Sequence, residues 1–200
     1  MKFSNGCWLQ KEGTEVFSPA EVYFSNVNNN EVLITAPTHK IRHRGDTLGG
    51  VNLTIRISSP MAEVIRVQTN HYLGVRKKSP DFELTVNPDC ILEVEDTDET
   101  IEIKSGSLRL LISKDNWSMT YYRGDEKVTD SGAKDLAYVK TDWRGLAYDN
   151  GGEEDTYMRE RLSLSVGELI YGMGERFTPF IKNGQTVEIW NEDGGTSTEQ

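Results

Sequence analysis

The chain has 200 residues, and its 22 Lys and Arg against 32 Asp and Glu give a formal charge of −10. An acidic surface repels a phosphate backbone, which excludes a general nucleic-acid binder, and the basic groups (Lys40, Arg42, Arg44 and the run Arg76-Lys77-Lys78) are too few to offset it. No stretch approaches the roughly 18 apolar residues of a spanning helix, and residues 1–6 carry no apolar signal-peptide core. The expectation is therefore a cytoplasmic chain without membrane contact. With 36% hydrophobic and 27% charged residues, it is neither disordered nor fibrous, and at this length it can bury a core without staples.

In chain order, Val32-Leu33-Ile34 is the first apolar run and reads as a deeply buried strand. In 51–57, Val51, Leu53, Ile55 and Ile57 alternate without fault with Asn52, Thr54 and Arg56. The same period of two recurs at 64–67, 91–95, 101–104 and 161–166, each predicting a strand with one face on a core and one in water. Residues 108–112 form a further buried strand, and the aromatic-rich stretch 117–122 suits a pleated surface. A short helix or helical turn is expected only near 129–136. Turn signals at Asn28-Asn29-Asn30, Ser58-Ser59-Pro60, Asn87-Pro88-Asp89, Lys104-Ser105-Gly106 and Arg123-Gly124-Asp125 punctuate the runs at short spacing. The fold class is all-β, an antiparallel sandwich or barrel with little helix.

Several patterns resemble sites and are explained more simply. Residues 89–102 hold seven carboxylates and no cation, but the spacing is not that of an EF-hand. A solvated hairpin with Ile91, Leu92, Val94, Ile101 and Ile103 facing inward accounts for it. Cys7 and Cys90 are 83 positions apart; in a reducing compartment two thiols are expected rather than a disulfide. No metal site is expected, since neither cysteine has a second one nearby and His39 and His43 match no ligand spacing. The sequons at Asn52 and Asn116 have no role in a cytosolic chain. Arg44-Gly45-Asp46 marks a turn. Gly172-Met173-Gly174-Glu175-Arg176 begins like a dinucleotide fingerprint, but Phe177 stands where its third glycine belongs. The two glycines instead imply unusual backbone dihedrals or a close approach. No cofactor is expected.

From residue 183 the composition turns polar and Gly-rich around one large aromatic, Trp190, flanked by Glu188, Asn191, Glu192 and Asp193. A ring beside amides and carboxylates can hold a sugar, stacking on its C–H face while acceptors fix hydroxyls; an ordinary loop with a core-plugging Trp fits equally. The chain ends within this stretch, so a further domain is expected beyond it.

Tyr171-Gly172-Met173-Gly174-Glu175-Arg176-Phe177, Asn183-Gly184-Gln185-Thr186-Val187 and the stretch from Trp190 through Asp193-Gly194-Gly195-Thr196-Ser197-Thr198-Glu199 to Gln200 closely resemble bacterial α-xylosidases of glycoside hydrolase family 31. Gly6-Cys7-Trp8-Leu9, Ser58-Ser59-Pro60 and Lys104-Ser105-Gly106 match more loosely. The resemblance implies a galactose mutarotase-like β-sandwich over 1–182 and a loop, 183–200, leading toward a catalytic (β/α)8 barrel absent from this chain. It implies a retaining glycosidase, a homo-oligomer at full length, whose two catalytic aspartates lie in the barrel. No catalytic residue is then in these 200, and the piece is expected to be inactive alone. Its substrate-binding residues would be Asp193 and Trp190, its partners an α-xyloside or related oligosaccharide and its own barrel. The other reading is a self-contained carbohydrate-binding sandwich, which needs two or more exposed aromatics on one sheet face.

Overall fold

Alternating side chains on extended backbone place every second residue on one face, and that rule organises the computed structural model, which describes residues 3–5, 9–28, 30–71, 85–87, 90–141, 155–174, 178–187 and 189. The described strands are all antiparallel, and a single 3-10 turn, Arg44–Thr47, accompanies them. The chain divides into two compact units, one of Glu12–Ser163 and one of Met1–Lys11 with Leu164–Gln200. No helix among the described residues is long and apolar enough to cross a membrane.

In the Glu12–Ser163 unit, four strands, β4 (Phe24–Asn28), β5 (Glu31–Pro37), β6 (Asn52–Ser58) and β7 (Arg66–Asn70), form one sheet in that order. Five more, β8 (Glu93–Asp96), β9 (Thr100–Ser105), β10 (Leu108–Ser113), β11 (Ser118–Arg123) and β12 (Glu126–Ser131), form a second meander. Register aligns apolar residues across each sheet: Val32 opposite Ile57, Ile34 opposite Ile55 and Ala36 opposite Leu53 in the first, Leu110 opposite Ile103 and Ile112 between Ile101 and Met119 in the second. These residues, with Trp117, make one buried cluster, so the two sheets are the layers of a sandwich. Val51, Leu53, Ile55 and Ile57 share the buried face, as their alternation predicts. A third sheet orders β14 (Asp155–Arg159), β13 (Ala137–Thr141) and β3 (Thr14–Phe17), with Phe17 and Tyr138 packed on the cluster. The other unit contains the two-residue pair β1 (Ser4–Asn5) and β2 (Leu9–Gln10).

Three expectations need correction. Residues 161–166 alternate but form no strand. Ser163 instead makes a single backbone bridge to β12, its N–H donating to the Asp130 carbonyl at 2.9 Å while its own carbonyl accepts from Thr129 Oγ1 at 2.8 Å. Leu162, Leu164 and Val166 are exposed, so this alternation lines no core. Of the short helix or helical turn expected near 129–136, only a single turn is found and over a shorter range: β12 runs to Ser131, and the Asp135 N–H then donates to the Gly132 carbonyl at 3.1 Å while the Asp135 carboxylate accepts from the Gly132 N–H at 2.7 Å. Ile91 does not face inward. It is 69% exposed, because β8 begins only at Glu93, while Leu92, Ile101 and Ile103 are buried.

Polar groups settle where the sequence left them open. Arg44-Gly45-Asp46 is the 3-10 turn itself, capped by His43, whose Nδ1 accepts from the Gly45 N–H at 3.1 Å. Two of the carboxylates of 89–102 are ion-paired among the described residues: Glu102 lies 2.7 Å from Lys104 and 3.0 Å from Arg109, and Asp96 pairs with Lys114. Cys90 is a free thiol 3.1 Å from the Ser59 hydroxyl; Cys7 lies outside the described residues. At the β9–β10 turn, Gly106 has φ +62°, and a Cβ there would stand 2.1 Å from Glu63 Oε1. Glu63 accepts from the Ser107 N–H at 2.7 Å and from its hydroxyl. The left-handed backbone favours a glycine here, and any larger residue would displace the Glu63 carboxylate from Ser107.

Asp96 joins two sheets, accepting from Ser25 Oγ of β4 at 2.7 Å while paired with Lys114. Partial burial would raise its pKa, but Lys114 and Ser25 outweigh that and hold the carboxyl below its ordinary value. A depressed folded-state pKa contributes stability above the unfolded value, near 4, that is lost as pH falls through the folded one. Asp96→Asn should therefore cost about 0.5–1 kcal/mol at neutral pH, the scale of a solvent-screened pair. Denaturant unfolding at pH 7 and at pH 2 checks this, and the difference between variant and parent should vanish at pH 2.

Candidate functional site

Both residues expected to contact sugar, Trp190 and Asp193, lie outside the described residues, as do Glu175, Arg176 and Phe177 of the glycine-rich motif and the tryptophans Trp8 and Trp143. What is described is the chain that leads to them, in the unit of Met1–Lys11 and Leu164–Gln200.

Two limbs make this approach. The first opens with a turn in which the Glu168 carboxylate accepts from the Ser165 N–H at 2.8 Å and the Glu168 N–H donates to the Ser165 carbonyl at 3.1 Å. The second carries the Asn183-Gly184 pair, whose glycine sits at φ +77°. Asn183 joins the limbs with both ends of its amide: Oδ1 accepts from the Ile170 N–H at 2.8 Å, and Nδ2 donates to the Glu168 carbonyl at 3.0 Å. The Lys182 N–H completes the clamp on the Ile170 carbonyl at 2.8 Å. A primary amide suits this place because it offers an acceptor and a donor on one carbon.

Lys182 is buried, at 8% exposure. Its ammonium donates to Thr178 Oγ1 at 2.5 Å and to the Pro179 carbonyl at 2.7 Å, so it folds the second limb onto itself. Gln185 closes the same turn, its side chain donating to the Ile181 carbonyl at 2.7 Å. Between the limbs, Gly172, Met173 and Gly174 have φ of +125°, +72° and +74°. The two glycines take dihedrals L side chains avoid, as their spacing implied, and Met173 is held there without that freedom, a local cost of order 1 kcal/mol or more. The Tyr171 and Phe180 rings meet at 5.0 Å across the gap, both exposed.

Sequence reasoning named the motif residues Asn183, Gly184 and Gln185 but not their work as a clamp, and it missed Glu168 and Lys182. The Asn-Gly dipeptide was the available signal; that Lys182 would bury its ammonium had none.

A family model described as the glycosyl hydrolase 31 N-terminal galactose mutarotase-like domain matches residues 54–200. This chain belongs to that family. It is 38% identical over 202 residues to the α-xylosidase XylQ of Lactiplantibacillus pentosus and 34% identical over 210 residues to an α-xylosidase of Emericella nidulans. Each match takes in 100% of this chain but only 25% and 27% of the relative, so the chain spans about a quarter of their length. In fold it is similar to an uncharacterized protein of Listeria monocytogenes, with a TM-score of 0.63 at 17% identity, and to the cycloalternan-forming enzyme of the same organism, with 0.57 at 15%. Both cover 90% of this chain and 15% of the other. The family confirms the galactose mutarotase-like β-sandwich expected of the chain.

The clamp gives a direct test. Asn183→Ala removes two of the bonds on the Glu168–Ile170 stretch, and at about 1 kcal/mol each the Ile170 amide should exchange with solvent roughly tenfold faster or more. Hydrogen exchange read by mass spectrometry or NMR measures this, with amides in β9 and β10 as unchanged internal references.

Proposed function

We propose that this chain is the N-terminal domain of a retaining α-xylosidase, that residues 1–182 are its sandwich, and that segment 183–200 lends Trp190 and Asp193 to a sugar site completed by the barrel beyond it. The observation that carries the reading is the match along the whole chain to α-xylosidases four times its length, joined to the Trp190–Asp193 chemistry. Hydrolysis in the whole enzyme falls to two barrel carboxyls, about 5–5.5 Å apart when configuration is retained. The residues here bind and orient. Asp193 accepts from a substrate hydroxyl, and Trp190 walls the pocket or holds the loop, at the barrel face where loops build active sites. The clamp of Lys182 and Asn183 fixes where that segment starts. Terminal α-xylosyl residues of an oligosaccharide are the substrate class, and a cytoplasmic homo-oligomer is the setting.

A self-contained sugar-binding sandwich is less well supported. Among the described residues the large exposed aromatics are Tyr23, Phe24, Tyr171 and Phe180. The first two are neighbours in sequence and point to opposite sides of extended backbone; the other two lie outside the sheets. No sheet face among the described residues thus offers the aromatic platform such a module needs.

Loss of a charge-assisted hydrogen bond to substrate costs about 1.5–3 kcal/mol, so Asp193→Ala in the full-length enzyme should lower kcat/KM on an aryl α-xyloside by roughly 10- to 150-fold. Asp193→Asn keeps an acceptor and should lose less. A kcat/KM for Asp193→Ala within twofold of the parent would reduce the segment to a linker.

A further inference from the structure

Within the Glu12–Ser163 unit, a cleft of about 210 Å³ opens between two sheet edges. Val67 and Thr69 of β7 and Met158 and Arg159 of β14 form its walls, Tyr121 of β11 and Leu136 its floor, and Glu160 its rim. Among the described residues β7 and β14 are both edge strands and do not pair with each other, and the core continues beneath the cleft: Leu136 is 3% exposed and belongs to the buried cluster.

Polar groups around this cleft are poorly served by the protein itself. Among the described residues the Tyr121 hydroxyl donates only to the Met119 sulfur, at 3.8 Å, a weak acceptor. Burial, together with the Glu160 charge, pushes the phenol up to about 12. The Ser131 hydroxyl is fully buried and has no partner in hydrogen-bond geometry, though it lies close enough to Glu160 to pull that carboxyl down. Glu160 is open to solvent on its outer side, yet the protein on its inner side raises it, and Asp135 adds to the rise. Arg159 lowers it somewhat, but makes its own hydrogen bonds elsewhere, to the Lys134 carbonyl at 2.5 Å and the Asp135 carbonyl at 3.4 Å.

Charge and size narrow what would fit. The ionic groups acting on one another here are Asp135 and Glu160 against Arg159 and Arg161, two of each sign, so the cleft has no net charge with which to select an ion. An apolar floor of Leu136 and the Tyr121 ring, with a carboxylate and a threonine hydroxyl at the edge, matches a molecule with one C–H face and a rim of hydroxyls. The volume is what about seven waters occupy in the liquid, below the roughly 300–1,000 Å³ of drug-sized sites. One ring fits, a chain does not.

We propose that this cleft is a second, non-catalytic binding site for a single neutral sugar residue, seated on Tyr121, Leu136 and Met158 and held at its hydroxyls by Glu160 and Thr69. It uses no residue of the 183–200 segment, so it stands or falls separately from the role proposed for Asp193.

The test is photo-crosslinking of the full-length protein with a diazirine-bearing thio-α-xyloside, which is not turned over, followed by mapping of the labelled peptides. The expected result is label on the peptides holding Thr69 or Met158–Glu160, competed by excess D-xylose. In Glu160→Ala that label should fall roughly tenfold, the loss of one charge-assisted hydrogen bond; Glu160→Gln, which keeps an acceptor, should restore part of it. Met158→Trp, which fills the cleft, should abolish it and serves as a second variant. Absence of label there, label that D-xylose does not displace, or label in Glu160→Ala and Met158→Trp equal to that of the parent would overturn the proposal. Displacement by butylamine but not by D-xylose would make the cleft a cation site and overturn it equally. Label on the peptide carrying Asp193 reports on the other site alone.

Discussion

The burial of two inner faces against each other governs the Glu12–Ser163 unit. Val32, Ile34, Leu53, Ile55 and Ile57 on one side and Ile101, Ile103, Leu110, Ile112 and Met119 on the other are wholly removed from water. At about 25 cal/mol per Å² of apolar surface, ten such side chains outweigh any polar contact in the molecule. They also fix register. A slip of one residue in any of these strands would turn its whole apolar set into solvent, which is why Ile34 faces Ile55 and Leu110 faces Ile103.

Where that constraint was written in the chain as an uninterrupted period of two, sequence sufficed. Strands β6, β9, β10 and β11 fall within a residue of the runs read for them, and β5 contains its run and extends three residues beyond it. Strands β4, β12 and β13 escaped because their pattern is dilute: 24–28 and 126–131 are polar edge strands with little to bury, and in β13 the buried positions are Ala137, Val139 and Thr141, of which only one is a large apolar residue. The reverse error arose at 161–166, where leucines and a valine alternate without a sheet to receive them. Period alone does not say which core a face belongs to. At that point the chain leaves one unit for the other, since the boundary falls between Ser163 and Leu164.

The segment proposed to meet substrate was legible in another way. Trp190 and Asp193 were singled out by their chemistry and their resemblance, not by periodicity, and the residues that lead to them were only half visible. Asn183-Gly184 announced a turn, but whether an asparagine merely permits a turn or grips Ile170 and Glu168 depends on a limb thirteen and fifteen residues away. Local pattern holds no information about such a partner. The same unit takes in the first eleven residues, a grouping no linear reading of 1–182 and 183–200 would suggest.

Apolar contact has no direction, so two greasy layers resist separation far better than they resist sliding. The cross-sheet polar contacts therefore have a mechanical meaning. Glu63, in the connection between β6 and β7, grips the β9–β10 turn at Ser107, Ser59 meets Ser105 at 2.7 Å, and Ser25 of β4 meets Asp96 of β8. Each is small as a contribution to stability, but they act as dowels across the sandwich, setting its resistance to shear.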